Sequence, residues 1–81
     1  MSFSDEIMII RQKSFLTQTE FAAKINVAYN TVNRWETGKS RPNMTAMKNI
    51  KAFCSEQGID YSSLEKAWIQ SKVTERSEKN G

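Results

Sequence analysis

The segment Thr17 to Gly38, TQTEFAAKINVAYNTVNRWETG, constrains the fold more than any other part of the 81-residue chain. Thr17 and Glu20 are spaced as a capping box, in which the Thr17 hydroxyl accepts the Glu20 backbone N–H and the Glu20 carboxylate accepts that of Thr17. Leu16 and Phe21 stand at the staple positions that fix how the chain enters the helix. Phe21, Ala22 and Ile25 give that helix one apolar face, and Ala22 is small enough for another helix to come close. Asn26 suits a left-handed stop, after which Val27 returns to the core. A second helix follows from Ala28, with Val32 and Trp35 inward, Val27 as the staple partner of Val32, and Gly38 as its left-handed end. The pattern requires two short helices packed at an angle.

The outward face of the second helix carries Tyr29, Asn30, Asn33 and Arg34. Asn and Tyr are indifferent helix formers, so helix stability does not account for them. Their donors and acceptors match the edges of base pairs: Arg suits guanine O6 and N7, and Asn suits adenine N6 and N7. Taken alone, such a face reads first as a solvated polar surface, because surface helices are usually polar. The surrounding pattern decides between the two.

Over roughly residues 7–64 the chain resembles the XRE family of DNA-binding regulators, the helix-turn-helix of the phage Cro and repressor type. Leu16, Thr17 and Gln18 match the family's LTQ entry to its second helix, and Phe21 with Ala22 matches its leucine-alanine pair. Val27, Val32, Trp35, Glu36 and Gly38 match the core and stop of the recognition helix, and Lys39, Ser40, Arg41 and Pro42 match the loop after it. The resemblance implies an all-α, compact five-helix bundle whose helices 2 and 3 form the helix-turn-helix. It also implies a structural ion pair between Arg11 and Glu36; the alternative, Arg11 on a phosphate, would leave a bare negative charge near DNA.

By matched positions, Tyr29, Asn30 and Arg34, then Thr31 and Asn33, are the expected base-reading residues. Thr17, Gln18, Thr37, Lys39, Arg41 and Asn43 are the expected phosphate contacts, which set register and carry no sequence information, and the Gln18 amide can also support a reading residue. Three positions depart from the family pattern. Ala28 replaces the usual Ser or Thr cap, which is worth about 0.5 to 2 kcal/mol. Phe15 stands where many members have Gly, and Tyr29 is bulkier than the usual Gln or Ser.

Charge placement agrees with a nucleic-acid partner. The net charge is only +3, yet residues 28–51 carry five bases against Glu36 alone. With no His and a single Cys, the chain lacks His–Cys zinc sites, a Cys–His pair and a Ser–His–Asp triad. Its three glycines, Gly38, Gly58 and Gly81, form no phosphate loop. No catalysis, cofactor, metal or small-molecule ligand is implied. Cys54, beside Ile50 and Phe53, reads either as a small core residue or as a redox switch. A single thiol and the absence of a signal-like or membrane-spanning run point to a cytoplasmic, bacterial or phage-encoded protein.

Around this centre, Ser4 is expected to cap the first helix, with Asp5 and Glu6 in its first turn and Ile7 and Ile10 facing the core. Pro42 and Asn43 introduce a fourth helix with Met44, Met47, Ile50, Phe53 and Cys54 as its buried stripe. Asp60 or Ser62 caps a fifth, with Ser62 and Glu65 as a second capping box. Leu64, Trp68 and Ile69 offer a subunit contact, against which stands Trp68 folding back over its own core. Residues 1–71 form one DNA-binding domain, and 72–81 a charged tail expected to fray into disorder.

The expected partner is double-stranded DNA carrying an inverted repeat, bound by a homodimer acting as a transcriptional regulator of the repressor kind. The competing expectation is a protein-interaction module, such as an antitoxin, built on the same fold.

Overall fold

The computed structural model describes the backbone of residues 2–80 and the side chains of residues 2–71. Five helices follow one another: α1 (Phe3–Lys13), α2 (Gln18–Lys24), α3 (Tyr29–Glu36), α4 (Met44–Gln57) and α5 (Ser62–Asn80). Helix α1 packs on both α3 and α5, and α2 packs on α3. Phe3, Ile7, Ile10, Phe21, Ile25, Val32, Trp35, Ile50, Phe53 and Leu64 make one continuous core.

The capping box forms as the spacing requires, with Thr17 N–H to Glu20 Oε1 at 2.9 Å and Glu20 N–H to Thr17 Oγ1 at 3.1 Å. Helix α3 has no side-chain cap at Ala28. Helix α4 joins the pair through an edge-to-face contact of Phe21 and Phe53, with ring centroids 5.5 Å apart. Asn49 Nδ2 also donates to the Ile25 carbonyl at 3.2 Å, which supplies a partner for an end carbonyl of α2.

One turn geometry ends four of the helices. After α1 it is Leu16 N–H to Arg11 O at 3.4 Å, after α2 Val27 to Ala22 at 2.9 Å, after α3 Lys39 to Arg34 at 2.9 Å, and after α4 Ile59 to Cys54 at 2.8 Å. Each is the six-to-one bond of a Schellman stop, and each needs a left-handed residue. Those residues are Phe15 (φ 59°), Asn26 (φ 62°), Gly38 (φ 78°) and Gly58 (φ 71°). Asn and Gly adopt this conformation readily; Phe does so at a cost of roughly 1 to 2 kcal/mol. Phe15 gains no burial in return, since 93% of it is exposed.

Several local expectations shift. The N-cap of α1 is Ser2, not Ser4: Ser2 Oγ accepts the Asp5 N–H at 3.3 Å. Starting one turn-fraction earlier brings Phe3 into phase with Ile7 and Ile10, and all three are buried. In α4 the buried stripe is Ala46, Ile50, Phe53 and Cys54, with Met47 half-buried and Met44 exposed. Asn43 caps that helix through Ala46 N–H at 2.8 Å, which sets the phase and puts Met44 on the outside.

The expected Ser62–Glu65 box is also replaced. Asp60 Oδ1 accepts both the backbone N–H and the hydroxyl of Ser62, at 2.9 and 2.7 Å, while Glu65 N–H reaches the Tyr61 carbonyl. These bonds hold the Asp60 carboxyl below its ordinary pKa, the Ser62 hydroxyl being the main cause. The tail expected to fray, residues 72–81, falls where the side chains lie outside the described residues.

Cys54 is fully buried, and burial pushes its thiol up to about 11. That environment suits a core residue and not a redox switch. Two outcomes follow. Replacing Phe15 with Gly should raise the thermal midpoint by several degrees, corresponding to about 1 kcal/mol, in a circular-dichroism melt. Because the folded thiol keeps its proton to higher pH than an unfolded one, stability should fall as pH rises from 9 towards 11, and a Cys54→Ala variant should lose that component of the pH dependence.

Candidate nucleic-acid interface

Helix α3 is amphipathic in the simplest way: Val32, Trp35 and Glu36 are buried, while Tyr29, Asn30 and Arg34 are exposed and Thr31 and Asn33 half-buried. The three core-facing residues anchor it. Of the residues expected to read bases, Tyr29, Asn30 and Arg34 lie on the face that the fold leaves open, with Thr31 and Asn33 at its edges.

Glu36 is the organising residue of this region. Its side chain is 2% exposed, and Arg11 binds it with both ends of the guanidinium, Nε to Oε2 at 2.7 Å and Nη2 to Oε1 at 2.9 Å. The third guanidinium nitrogen, Nη1, donates to the Leu16 carbonyl at 3.0 Å. Arg11 thus joins the end of α1, the turn before α2 and the end of α3. The Glu36 hydrogen bonds hold the Arg11 pKa above its ordinary value. The ion pair implied by the resemblance is present, and its paired geometry satisfies two charges that would be costly to bury singly.

A connection that sequence reading missed extends from the same carboxylate. Gln18 Nε2 donates to Glu36 Oε1 at 2.9 Å, and Asn33 Nδ2 donates to Gln18 Oε1 at 3.3 Å. Gln18 was expected on a phosphate, but both ends of its amide are engaged within the protein. The signal available was the first-turn position of Gln18 in a helix packed against α3; the partner depended on the crossing of the two helices.

The remaining expected phosphate contacts divide. Lys39 is exposed beyond the end of α3. The Thr17 hydroxyl accepts from Glu20 and can still donate, and the Asn43 amide nitrogen is similarly able to donate while its oxygen caps α4. Thr37 Oγ1 donates back to the Asn33 carbonyl at 2.9 Å. Arg41 departs from the expectation: its Cζ lies 4.3 Å from the Trp68 ring centroid, and Nη2 donates to the Trp68 carbonyl at 3.3 Å. It is committed to α5 by stacking and hydrogen bonding.

The subunit-contact residues are corrected in the same region. Leu64 is interior, and Trp68 is buried with Nε1 donating to the Pro42 carbonyl at 2.7 Å. An indole N–H that finds a partner at the far side of the core is fully used inside the monomer. Ile69 alone of the three is exposed, at 52%.

Two short helices joined by a Schellman turn, the second presenting polar side chains outward and braced from behind by a buried ion pair, define a helix-turn-helix nucleic-acid-binding module. The comparisons agree: residues 7–54, more than half of the chain, match the helix-turn-helix family model. The chain belongs to this XRE-type helix-turn-helix family of DNA-binding transcription regulators. It is also 34% identical over 55 residues to the HTH-type transcriptional activator BcrR of Enterococcus faecalis, a match covering 68% of this chain and 27% of that protein. The chain therefore spans about a quarter of the length of this relative. No solved structure matches it. No helix among the described residues is long and apolar enough to cross a membrane.

Breaking the ion pair tests the bracing. Arg11→Met leaves Glu36 buried without its charge partner and should destabilise the fold by about 3 kcal/mol in chemical denaturation, far more than a surface Lys13→Met control.

Proposed function

We propose that this chain binds double-stranded DNA sequence-specifically, placing α3 in the major groove. Tyr29, Asn30, Thr31, Asn33 and Arg34 face base edges, and Thr17, Lys39 and Asn43 face the flanking phosphates, joined by Thr37 once its hydroxyl turns from the Asn33 carbonyl. The observation that carries this reading is the outward polar face of α3 opposite a firmly buried Val32–Trp35–Glu36 face. The surplus of bases in residues 28–51 supports it.

A single module makes a small interface, so useful affinity calls for two copies on an inverted repeat with half-sites about one helical turn apart. The contact surface best suited to this is the groove of about 200 Å³ between α4 and α5, edged by Met44 and Ile69. Bound across a promoter, such a dimer represses by occupancy. BcrR, named as an activator, has most of its length outside the region matched here. The partner-binding reading rested on Trp68, Ile69 and the tail; Trp68 is interior, and what favours that reading is Ile69 with Met44, the same patch that serves a dimer.

Selection from a random duplex pool at near-physiological salt should enrich an inverted repeat. Absence of any enriched motif from folded protein would count against the reading. On the selected site, Arg34→Ala should cost about 1 to 3 kcal/mol and relax preference at one base pair. Lys39→Ala should instead weaken all duplexes alike and reduce the salt slope by about one. Ile69→Asp should leave half-site affinity intact and abolish cooperative filling of the full repeat in a gel-shift titration.

A further inference from the structure

The chain of hydrogen bonds from Glu36 to Asn33 fixes the polarity of each amide along it. An ionised carboxylate only accepts. Glu36 Oε1 receives Arg11 Nη2 and Gln18 Nε2, both at 2.9 Å, so Gln18 must turn its nitrogen towards Glu36 and its oxygen towards Asn33. Asn33 answers with Nδ2 at 3.3 Å. Reversing either amide would bring two acceptors together, beside a buried charge that cannot move away. Asn33, half-buried on α3, consequently has its nitrogen turned inward and its Oδ1 on the opposite side.

From this polarity we infer that Asn33 is a base-reading residue for adenine, and that Gln18 and Glu36 are positioning residues that set its preference. The inference rests on the DNA-binding function proposed above. The Oδ1 accepts the adenine N6 amino group, and the second hydrogen on Nδ2 donates to N7, the two-bond pairing that Asn makes with adenine. Cytosine offers only its N4 donor. Guanine O6 and thymine O4 are acceptors and would face the Asn33 oxygen directly. The preference at this base pair therefore runs adenine first, cytosine second, guanine and thymine last. It is imposed from the protein interior, because the orientation of an otherwise rotatable amide is set two residues away.

The test uses the full chain and the duplex obtained by selection, with all four bases placed in turn at each half-site position. Asn33→Ala should lose roughly ten-fold or more of the adenine preference at one base pair. Gln18→Ala should erode preference at that same base pair, and the double variant should show no further loss there. Replacing that adenine with purine, which lacks N6, should weaken wild-type binding and leave Asn33→Ala unaffected. A uniform loss for Gln18→Ala with every base preference retained would overturn the relay and make Gln18 a phosphate contact. A guanine or thymine preference at the Asn33 position would overturn it equally. Arg34→Ala serves as the control: if the wild-type protein and this variant bind every duplex alike, the DNA-reading function itself fails and the inference fails with it.

Discussion

The Arg11–Glu36 pair is the interaction on which the geometry of this small protein depends. A guanidinium offers a flat fork of donors, and here the fork is fully used: two nitrogens hold one carboxylate and the third holds the Leu16 carbonyl. The end of α1, the turn that follows it and the end of α3, 25 residues on, are thereby held by one side chain. Helix α3 has only eight residues and no side-chain cap, too short to persist alone, so its position comes from this pair and from the burial of Val32 and Trp35. A hydrophobic pair of similar volume would fill the space but would specify neither the rotation of α3 about its axis nor the height of the α1–α2 turn.

A second clamp works just beyond the same end of α3, on the segment that follows it. Trp68 donates to the Pro42 carbonyl while Arg41 stacks on its ring, so the segment leaving the recognition helix is fastened to α5. Cationic and aromatic residues that would be read as surface chemistry in isolation are here used to close the bundle. The positive character at and just after α3 consequently comes from Arg34 and Lys39, with Arg41 drawn inward and Lys48 and Lys51 lining the α4–α5 groove.

Much of the fold was legible because its instructions are local. A capping box, a staple and a left-handed stop are each read from residues three to six apart, and Thr17, Glu20, Asn26, Gly38 and Gly58 all occupy the places their chemistry suits. Phase was harder. Whether Ser2 or Ser4 caps α1, and whether Met44 or Ala46 joins the core, turns on a shift of two positions that only packing decides. The site was legible as a face and not as a network: Tyr29, Asn30 and Arg34 are exposed on α3, but the Gln18–Asn33 bond and the Arg41–Trp68 stack join residues 15 and 27 positions apart. Such links follow from helix crossing angles, which no short spacing encodes. The Arg11–Glu36 pair was anticipated only through family resemblance, for the same reason.

The missing cap at Ala28 gives α3 an unusual asymmetry. Its C-terminal end is pinned by Glu36 and a Schellman turn, whereas the first-turn amides receive nothing from the side chain before them. A helix built this way has its weakest turn next to the residues proposed to meet DNA. Backbone N–H groups there carry the positive end of the helix dipole and are ready to take an anionic oxygen. Order at that turn would then be completed by the ligand, and the enthalpy of binding would include the formation of a part of the protein itself.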